Sequence, residues 1–144
     1  MMAGIRGKNT HPELTIRKAL HAKGFRFRIH DRRLLGNPDI VLPRFNAVIF
    51  VHGCFWHGHD CHLFKWPSSR QEFWRKKINR NIEKDREVLS ALLEQGWRIL
   101  IVWECAIKGK ARVTLDEAID KITLWIRGNT AKEEIRGMNA DKSS

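Results

Sequence analysis

The chain has 144 residues, 42% of them hydrophobic, which suits one ordinary domain with its own core. Its formal net charge is +11 and its pI is about 10.1, so it attracts polyanions, and nucleic acid is the expected class of partner. We expect a cytoplasmic protein, because no apolar run is long enough to cross a membrane, no secretory signal is visible, and three cysteines suit a reducing compartment. A basic protein with a purely structural role fits the charge equally well.

The first predicted helix begins at Thr10, whose hydroxyl can cap it, with Glu13 at the capping-box position. It runs to about Lys23, and Gly24 ends it. Its predicted buried side carries Leu14, Ile16, Ala19 and Leu20.

Three short strands are predicted next. Residues 25–29 alternate strictly between apolar and basic, which is typical of a half-buried strand, and residues 31–36 form a turn. Residues 38–42 and the apolar run 47–51 read as two strands joined by a turn over residues 43–46, that is, as a hairpin.

The second half of the chain predicts a helix, a strand and a last helix. Residues 71–94 form one long helix, or two broken near residues 79–81. Residues 98–104 form a strand buried on both faces and therefore parallel to its neighbour, and residues 115–128 form an amphipathic helix. The predicted order is α-β-β-β-α-β-α: a single α/β domain over residues 1–129, with a mixed central sheet flanked by helices. A loosely ordered polar tail is expected over residues 130–144.

The loop after the apolar run 47–51 is rich in metal donors. Cys54, His59 and Cys61 offer three zinc ligands within eight residues, and a structural zinc site needs four. If the strand 98–104 lies beside the run 47–51, Cys105 supplies the fourth ligand. His62 is the alternative to His59 as the histidine ligand.

Acidic and histidine side chains near this loop suggest phosphodiester chemistry. Asp39, just inside a predicted strand, is placed as a carboxylate that can hold Mg²⁺, although an aspartate after a proline is also common in plain turns. His52 and His57 flank the metal loop, where an imidazole can act as a general base or stabilise charge. The alternative for each is an ordinary loop histidine or a zinc ligand. Asp85 is either an ion-pair partner or a carboxylate aimed at the site.

Aromatic and basic residues suggest how nucleic acid binds. Phe55 and Trp56, between the metal donors, can wedge between bases or can cover the zinc site. One face of the long helix is dense with cations, which suits phosphate contact or plain solvation. These cations are Arg75, Lys76, Lys77, Arg80, Lys84 and Arg86.

Together these motifs resemble the very short patch repair (Vsr) DNA mismatch endonucleases. The resemblance covers roughly residues 2–127 in consistent order and spacing, and its most specific part is the cysteine-histidine loop with the embedded Phe-Trp pair. It is carried by Pro38-Asp39, by VIFVHGCFWHGHDCHLFK (48–65), by EFW (72–74), by NIEKDR (81–86) and by GWRILIVWEC (96–105).

The resemblance implies a restriction-endonuclease-like fold with a structural zinc, and an enzyme that nicks DNA 5′ to the thymine of a T:G mismatch left by deamination of 5-methylcytosine. It implies that Asp39 and the main-chain carbonyl of Val51 hold catalytic Mg²⁺, two ions in all. It makes His57 the general base, with His52 and Asp85 supporting the cleaved phosphate, and it puts Glu13 in the outer shell of the metals. The zinc ligands would be Cys54, His59, Cys61 and Cys105.

The same resemblance implies a bacterial, nucleoid-associated monomer that is linked functionally to a cytosine-5 methyltransferase and to mismatch-repair proteins. Phe55 and Trp56 would enter the duplex beside the mismatch, and Met2 would enter from the other groove. Further DNA contacts are expected from Arg6, Lys8, Lys76, Lys77 and Arg80.

Three departures from the family pattern bear on this prediction. The segment before Met2 is shorter than usual, which indicates either a weaker N-terminal clamp on DNA or a start site that is misplaced or trimmed. Residues Val51, Gly58 and Asp60 differ from the best-known family pattern. The Glu-x-Lys half of the wider nuclease motif is absent, as expected for this family. Two alternatives stay open: a nuclease of the same fold with a shifted substrate (flap, junction or matched duplex), and a non-catalytic, zinc-containing mismatch-binding module.

Overall fold

A five-stranded sheet forms the centre of the structure, a computed structural model that describes residues 10–138. The helices are α1 (His11–Ala22), α2 (Gln71–Glu94), α3 (Glu104–Ile107) and α4 (Leu115–Arg127). The strands are β1 (Arg28–Ile29), β2 (Ile40–Leu42), β3 (Ala47–His52), β4 (Arg98–Trp103) and β5 (Lys132–Ile135).

The sheet is mixed, with strand order β1-β2-β3-β4-β5. The first three strands pair antiparallel, so the predicted hairpin is confirmed, with Ile40 opposite Ile49. β4 pairs parallel to β3, as its continuous apolar run predicts, with His52 opposite Trp103. β5 pairs parallel to β4.

Each face of the sheet buries its own core, because side chains alternate along the central strands. Ile49 and Val102 face α1 and α4, whereas Phe50 and Ile101 face α2 and the metal-donor loop. Residues from α1 and α4 complete the first core: Ile16, Leu20, Ile119, Ile122, Trp125 and Ile126. Helices therefore cover both faces of the sheet, as the fold prediction states.

Local sequence signals account for the helix starts. The Thr10 hydroxyl accepts the main-chain N–H of Glu13 at 3.4 Å and caps α1, and the Thr114 hydroxyl accepts that of Glu117 at 3.1 Å and caps α4. α2 is one unbroken helix of 24 residues, about 36 Å long, which decides between the two predicted alternatives.

Some predicted side-chain positions are wrong. Leu14, expected on the buried side of α1, is 37% exposed, and Glu13 is buried there instead with an exposed fraction of 1%. Only two residues of the alternating segment 25–29 pair as a strand, and both are exposed. Arg17 and His30 pair with the buried Glu13 carboxylate at 3.0 and 2.6 Å, which offsets the cost of burying it.

The prediction of a loose tail over residues 130–144 needs correction where the structure describes it. Residues 132–135 form β5, which adds to the edge of the buried strand β4 and buries Ile135 in the first core. Pairing with an existing edge supplies main-chain hydrogen bonds that the polar sequence of the segment does not reveal. Residues 139–144 lie outside the described part of the chain.

The topology gathers the polar residues at one end of the sheet. β2 begins there after Asp39, while β3 and β4 end there at His52 and Trp103, because β2 is antiparallel to β3 and β4 is parallel to it. Between residues 10 and 138, no helix is both long and apolar enough to cross a membrane.

Candidate active site and metal cluster

A cleft of about 460 Å³ opens at this end of the sheet, between the strand ends and α2. Asp39, Val51, His52, His57 and Asp85, all predicted site residues, line it together. Residues 39 and 85 are far apart in sequence, so folding brings the predicted catalytic groups into one site.

Asp39 is buried, with 8% of its surface exposed. Its Oδ2 accepts the main-chain N–H of Val51 at 2.7 Å, which fixes the carboxylate across the hairpin. Burial raises the pKa of Asp39 from its ordinary value of 3.8 to about 7, against the opposing effect of the hydrogen bond from Val51, and the nearby Glu13 carboxylate raises it further. A buried carboxylate that is costly to ionise is well suited to bind a cation.

Glu13 reaches the same region from α1. Its Oε2 lies 3.0 Å from Nη1 of Arg17 and 2.6 Å from Nε2 of His30. One ligand atom from each of Glu13, His30 and Asp39 lies within 4.8 Å of the others, which is close enough for a shared metal ion.

A second group contains His52, His57 and Asp85. Nδ1 of His57 lies 2.6 Å from Oδ2 of Asp85, and the ring of His57 stacks on that of His52 with centroids 3.7 Å apart. Burial lowers the pKa of His52 well below its usual value, so that ring is neutral at pH 7. When Nδ1–H of His57 donates to Asp85, its Nε2 is left as a proton acceptor.

Cys54, His59, Cys61 and Cys105 form the predicted cluster of four, all buried, with ligand atoms within 4.8 Å of one another. Nδ1 of His59 lies 3.7 Å from Sγ of Cys105. Ligands on a tetrahedral zinc with bonds of about 2.3 Å and 2.05 Å would be about 3.6 Å apart, so this donor set fits zinc. His62, the alternative ligand, is not in the cluster.

The three cysteines of the cluster lie in surroundings that shift their pKa values. A hydrogen bond from Cys54, together with one from His59, lowers the pKa of Cys105, whereas the hydrogen bond to Cys105 and burial raise that of Cys54. Burial raises the pKa of Cys61 as well. Three buried thiolates repel one another, and a divalent cation between them removes that cost.

The segment that contains β5 closes over this cluster. The main-chain N–H of Gly137 donates to Sγ of Cys105 at 3.3 Å, and Arg136 pairs with Asp60 at 3.0 Å. Nε1–H of Trp103 donates to Glu134 at 2.8 Å, and the ring of Trp103 stacks on His59 with centroids 3.9 Å apart. These contacts orient ligands from the outside, as is usual around bound metals.

Phe55 and Trp56 are partly exposed and belong to an aromatic cluster beside the cleft. Phe55 contacts Trp56, Phe64 and Trp74, with ring centroids 5.2–5.6 Å apart. The side-chain amide of Asn81 donates to the carbonyl oxygen of Trp56 at 2.8 Å, which ties this loop to α2. The exposed edge of the cluster leaves room for contact with a partner.

The predicted DNA-binding cations lie on α2, where Lys76 and Arg80 are exposed and Lys77 is partly buried. Met2, Arg6 and Lys8 lie outside the described residues.

Some cleft residues were missing from the predicted site. His30 comes beside Asp39 because Ile29 pairs with Ile40, and the next pair along the two strands is His30 and Asp39. Asn37, Asn81 and Lys84 also line the cleft. No local motif marks His30; only the strand register could have found it.

Comparison with known proteins gives the family. A model of the family described as DNA mismatch endonuclease Vsr matches residues 1–63. The DNA mismatch endonuclease Vsr of Escherichia coli (strain K12) is 44% identical over 134 residues, which cover 93% of this chain and 86% of that protein. The chain belongs to the Vsr family of DNA mismatch endonucleases.

Other relatives of the Vsr family agree with this. The type II nicking enzyme V.XorIIP of Xanthomonas oryzae pv. oryzae is 44% identical over 122 residues, 81% of this chain and 90% of that enzyme. The type II nicking enzyme V.NmeAIP of Neisseria meningitidis serogroup A is 44% identical over 111 residues, 77% of this chain and 79% of that enzyme. Membership of the Vsr family confirms the predicted resemblance and the predicted enzyme class, an endodeoxyribonuclease.

Proposed function

We propose that this chain is a Mg²⁺-dependent mismatch endonuclease that nicks one strand 5′ to the thymine of a T:G pair, the lesion left when 5-methylcytosine deaminates. The observation that carries the proposal is the single cleft that contains both Asp39 and the His57–Asp85 pair. Phosphodiester hydrolysis needs these two functions side by side: a carboxylate to hold the cation, and a base to activate water.

In this proposal Asp39 and the main-chain carbonyl of Val51 would hold Mg²⁺, two ions in all. Bound Mg²⁺ supplies charge stabilisation to the scissile phosphate. The restriction-endonuclease-like arrangement of the sheet is likewise part of the proposal, supported by the strand ends that carry Asp39 and Val51 toward one cleft.

His57 is the proposed general base. In the tautomer whose Nδ1–H donates to Asp85, Nε2 carries a lone pair that can take a proton from the attacking water. His52 stacks on His57 and stays neutral because it is buried, so it adds no positive charge that would suppress the basicity of its neighbour. Glu13 is proposed to act in the outer shell of the metals.

The Cys54, His59, Cys61 and Cys105 cluster is proposed to bind one structural zinc. Zinc there would hold the loop 54–61 in shape, and that loop carries His57 into the cleft. Because His57 belongs to this loop, loss of zinc would displace the proposed base. Nicking would therefore fall although no catalytic residue is changed.

Substrate recognition is assigned to the aromatic pair Phe55 and Trp56, which would enter the duplex beside the mismatch, with Met2 entering from the other groove. The partial exposure of the pair and its backing by Trp74 support this role. Phosphate contacts come from the cations Arg6, Lys8, Lys76, Lys77 and Arg80.

A monomer is proposed, because an asymmetric lesion needs no two-fold axis in the protein. A cytosine-5 methyltransferase is the proposed functional partner, since its product is the base whose deamination makes the lesion.

The test is a nicking assay on end-labelled duplexes, one with a single T:G pair and one fully matched, with and without Mg²⁺. We expect a single Mg²⁺-dependent break 5′ to the thymine, in the mismatched duplex alone. Cleavage of both duplexes would indicate a nuclease with a shifted substrate, and tight mismatch binding without cleavage would indicate a binding module.

Two variants test the assigned residues. Asp39→Ala should abolish nicking and leave the zinc content and the fold unchanged. Asp85→Asn should lower kcat about 10²-fold or more, because a neutral amide replaces the carboxylate that orients His57. Asp120→Ala, an exposed aspartate on α4, is the matched control and should nick at the normal rate. Substantial nicking by Asp39→Ala would refute the metal assignment.

A further inference from the structure

His30 lines the cleft, and the proposed mechanism gives it no role. It lies beside Asp39, and its main-chain N–H donates to the carbonyl oxygen of Asp39 at 3.1 Å. This hydrogen bond holds His30 beside Asp39, in addition to the pairing of β1 with β2.

The backbone of His30 is unusual. Its φ is +48°, in the left-handed region that few residues other than glycine adopt, although asparagine, aspartate and histidine do so more often than the rest. Such a conformation is unfavourable for a residue with a Cβ, and it persists where the surrounding structure holds it. Here it turns the chain at the end of β1 and keeps the imidazole at the cleft.

The side chain of His30 is oriented by a buried carboxylate. Its Nε2 lies 2.6 Å from Oε2 of Glu13, which is 1% exposed and also pairs with Arg17. When Nε2–H donates to Glu13, Nδ1 carries a lone pair and can bind a cation. A metal-binding histidine whose other nitrogen donates to a carboxylate is the usual arrangement around protein-bound metals.

We propose that His30 is a direct nitrogen ligand of the divalent cation that Asp39 holds, with Glu13 as the outer-shell carboxylate that orients the imidazole. The inference rests on the proposed role of Asp39 in metal binding. It is carried by two observations: one ligand atom from each of Glu13, His30 and Asp39 lies within 4.8 Å of the others, and His30 and Asp39 both line the cleft.

A nitrogen ligand would change which cations the site prefers. Mg²⁺ takes oxygen ligands and keeps several waters, whereas first-row transition-metal cations bind imidazole well. The cleft should therefore bind Mn²⁺ more tightly than an all-oxygen site would, and the nitrogen should matter little for Mg²⁺.

The experiment is a titration of the zinc-loaded protein, without DNA, with Mn²⁺ followed by electron paramagnetic resonance. The pulsed form of the measurement detects a ¹⁴N nucleus bonded directly to Mn²⁺. The main variant is His30→Asn, because asparagine tolerates the left-handed backbone and so removes the imidazole without disturbing the turn. His21→Asn, an exposed histidine in the last turn of α1, is the matched control.

We expect ¹⁴N coupling in the wild type and in His21→Asn, and its loss in His30→Asn together with a rise of about tenfold or more in the Kd for Mn²⁺. The Kd for Mg²⁺, measured by competition, should change by less than about threefold. Circular dichroism and zinc content identify any variant that has not folded.

Two results would overturn the proposal. One is ¹⁴N coupling that survives in His30→Asn and disappears in His57→Gln, which would assign the nitrogen to the second histidine group. The other is an unchanged Kd for Mn²⁺ in His30→Asn. Neither bears on whether the wild type nicks T:G duplexes in Mg²⁺, so failure here is distinguishable from failure of the proposed function.

Discussion

The burial of Asp39 predicts that its ionised carboxylate destabilises the metal-free protein. Replacing it by the neutral, nearly isosteric asparagine should therefore raise the free energy of unfolding at neutral and alkaline pH. The side-chain oxygen of the asparagine can still accept the N–H of Val51, so the hairpin contact is retained.

The magnitude follows from the pKa. The pKa of Asp39 rises from 3.8 to about 7 on folding, so the native state binds more protons than the unfolded state between these values. Stability then falls as the pH rises from about 4 to 7 and is constant above that. The cost of the ionised carboxylate is about 1.5 kcal/mol at pH 5 and about 4 kcal/mol above pH 8.

The assay is urea unfolding of the zinc-loaded protein without added Mg²⁺, followed by tryptophan fluorescence, for the wild type and Asp39→Asn at several pH values between 5 and 8.5. The difference in stability between the two proteins isolates Asp39 from the other groups that titrate in this range. It should grow by about 2.5 kcal/mol in favour of Asp39→Asn from pH 5 to 8.5. Asp120→Asn, exposed on α4, should show no such growth.

A constant difference between wild type and Asp39→Asn across this range would refute the reasoning, because it would mean that the fold does not disfavour the ionised carboxylate. Mg²⁺ supplies a second check. It should stabilise the wild type, since a cation that binds only the native state raises its stability, and it should do so much less for Asp39→Asn.

Three further predictions concern the supporting structure. In the Gly137→Ala variant, zinc should pass from the cysteine cluster to a chelator about tenfold faster or more, because a Cβ at residue 137 would lie 2.3 Å from the main-chain oxygen of Cys105. A normal rate of transfer would show that this segment does not protect the cluster. Gly36→Ala should cost about 1–3 kcal/mol in urea unfolding, since φ is +80° and a Cβ would lie 2.4 Å from Cγ1 of Val88. Thr10→Ala should cost about 1 kcal/mol in the same assay through loss of the α1 cap, with Thr10→Ser as the variant that restores it.

Much of the site could be predicted from the sequence because its signals are local. Cys54, His59 and Cys61 lie within one loop, and the buried run before that loop predicts the strand that positions it. Cys105 could be predicted as the fourth donor because two continuous apolar runs indicate parallel strands, and β3 and β4 do pair in parallel. The structure brings all four together as predicted.

His30 and β5 could not be predicted in the same way. The approach of His30 to Asp39 depends on the register between β1 and β2, and a change of one residue would turn the imidazole to the opposite face. The sequence of β5 is polar, and its strand exists because the edge of β4 offers main-chain partners there.

The sequence by itself therefore determined most of the elements, the hairpin, the four candidate metal donors and the family, because hydrophobic period, capping residues and ligand spacing act over a few residues. Only the tertiary structure decided that Glu13 is buried beside Asp39, that His30 faces the cleft, and that residues 132–138 close over the cysteines. These three outcomes depend on strand register, edge pairing and the packing of α1, which couple residues far apart in the chain and leave no local pattern in it.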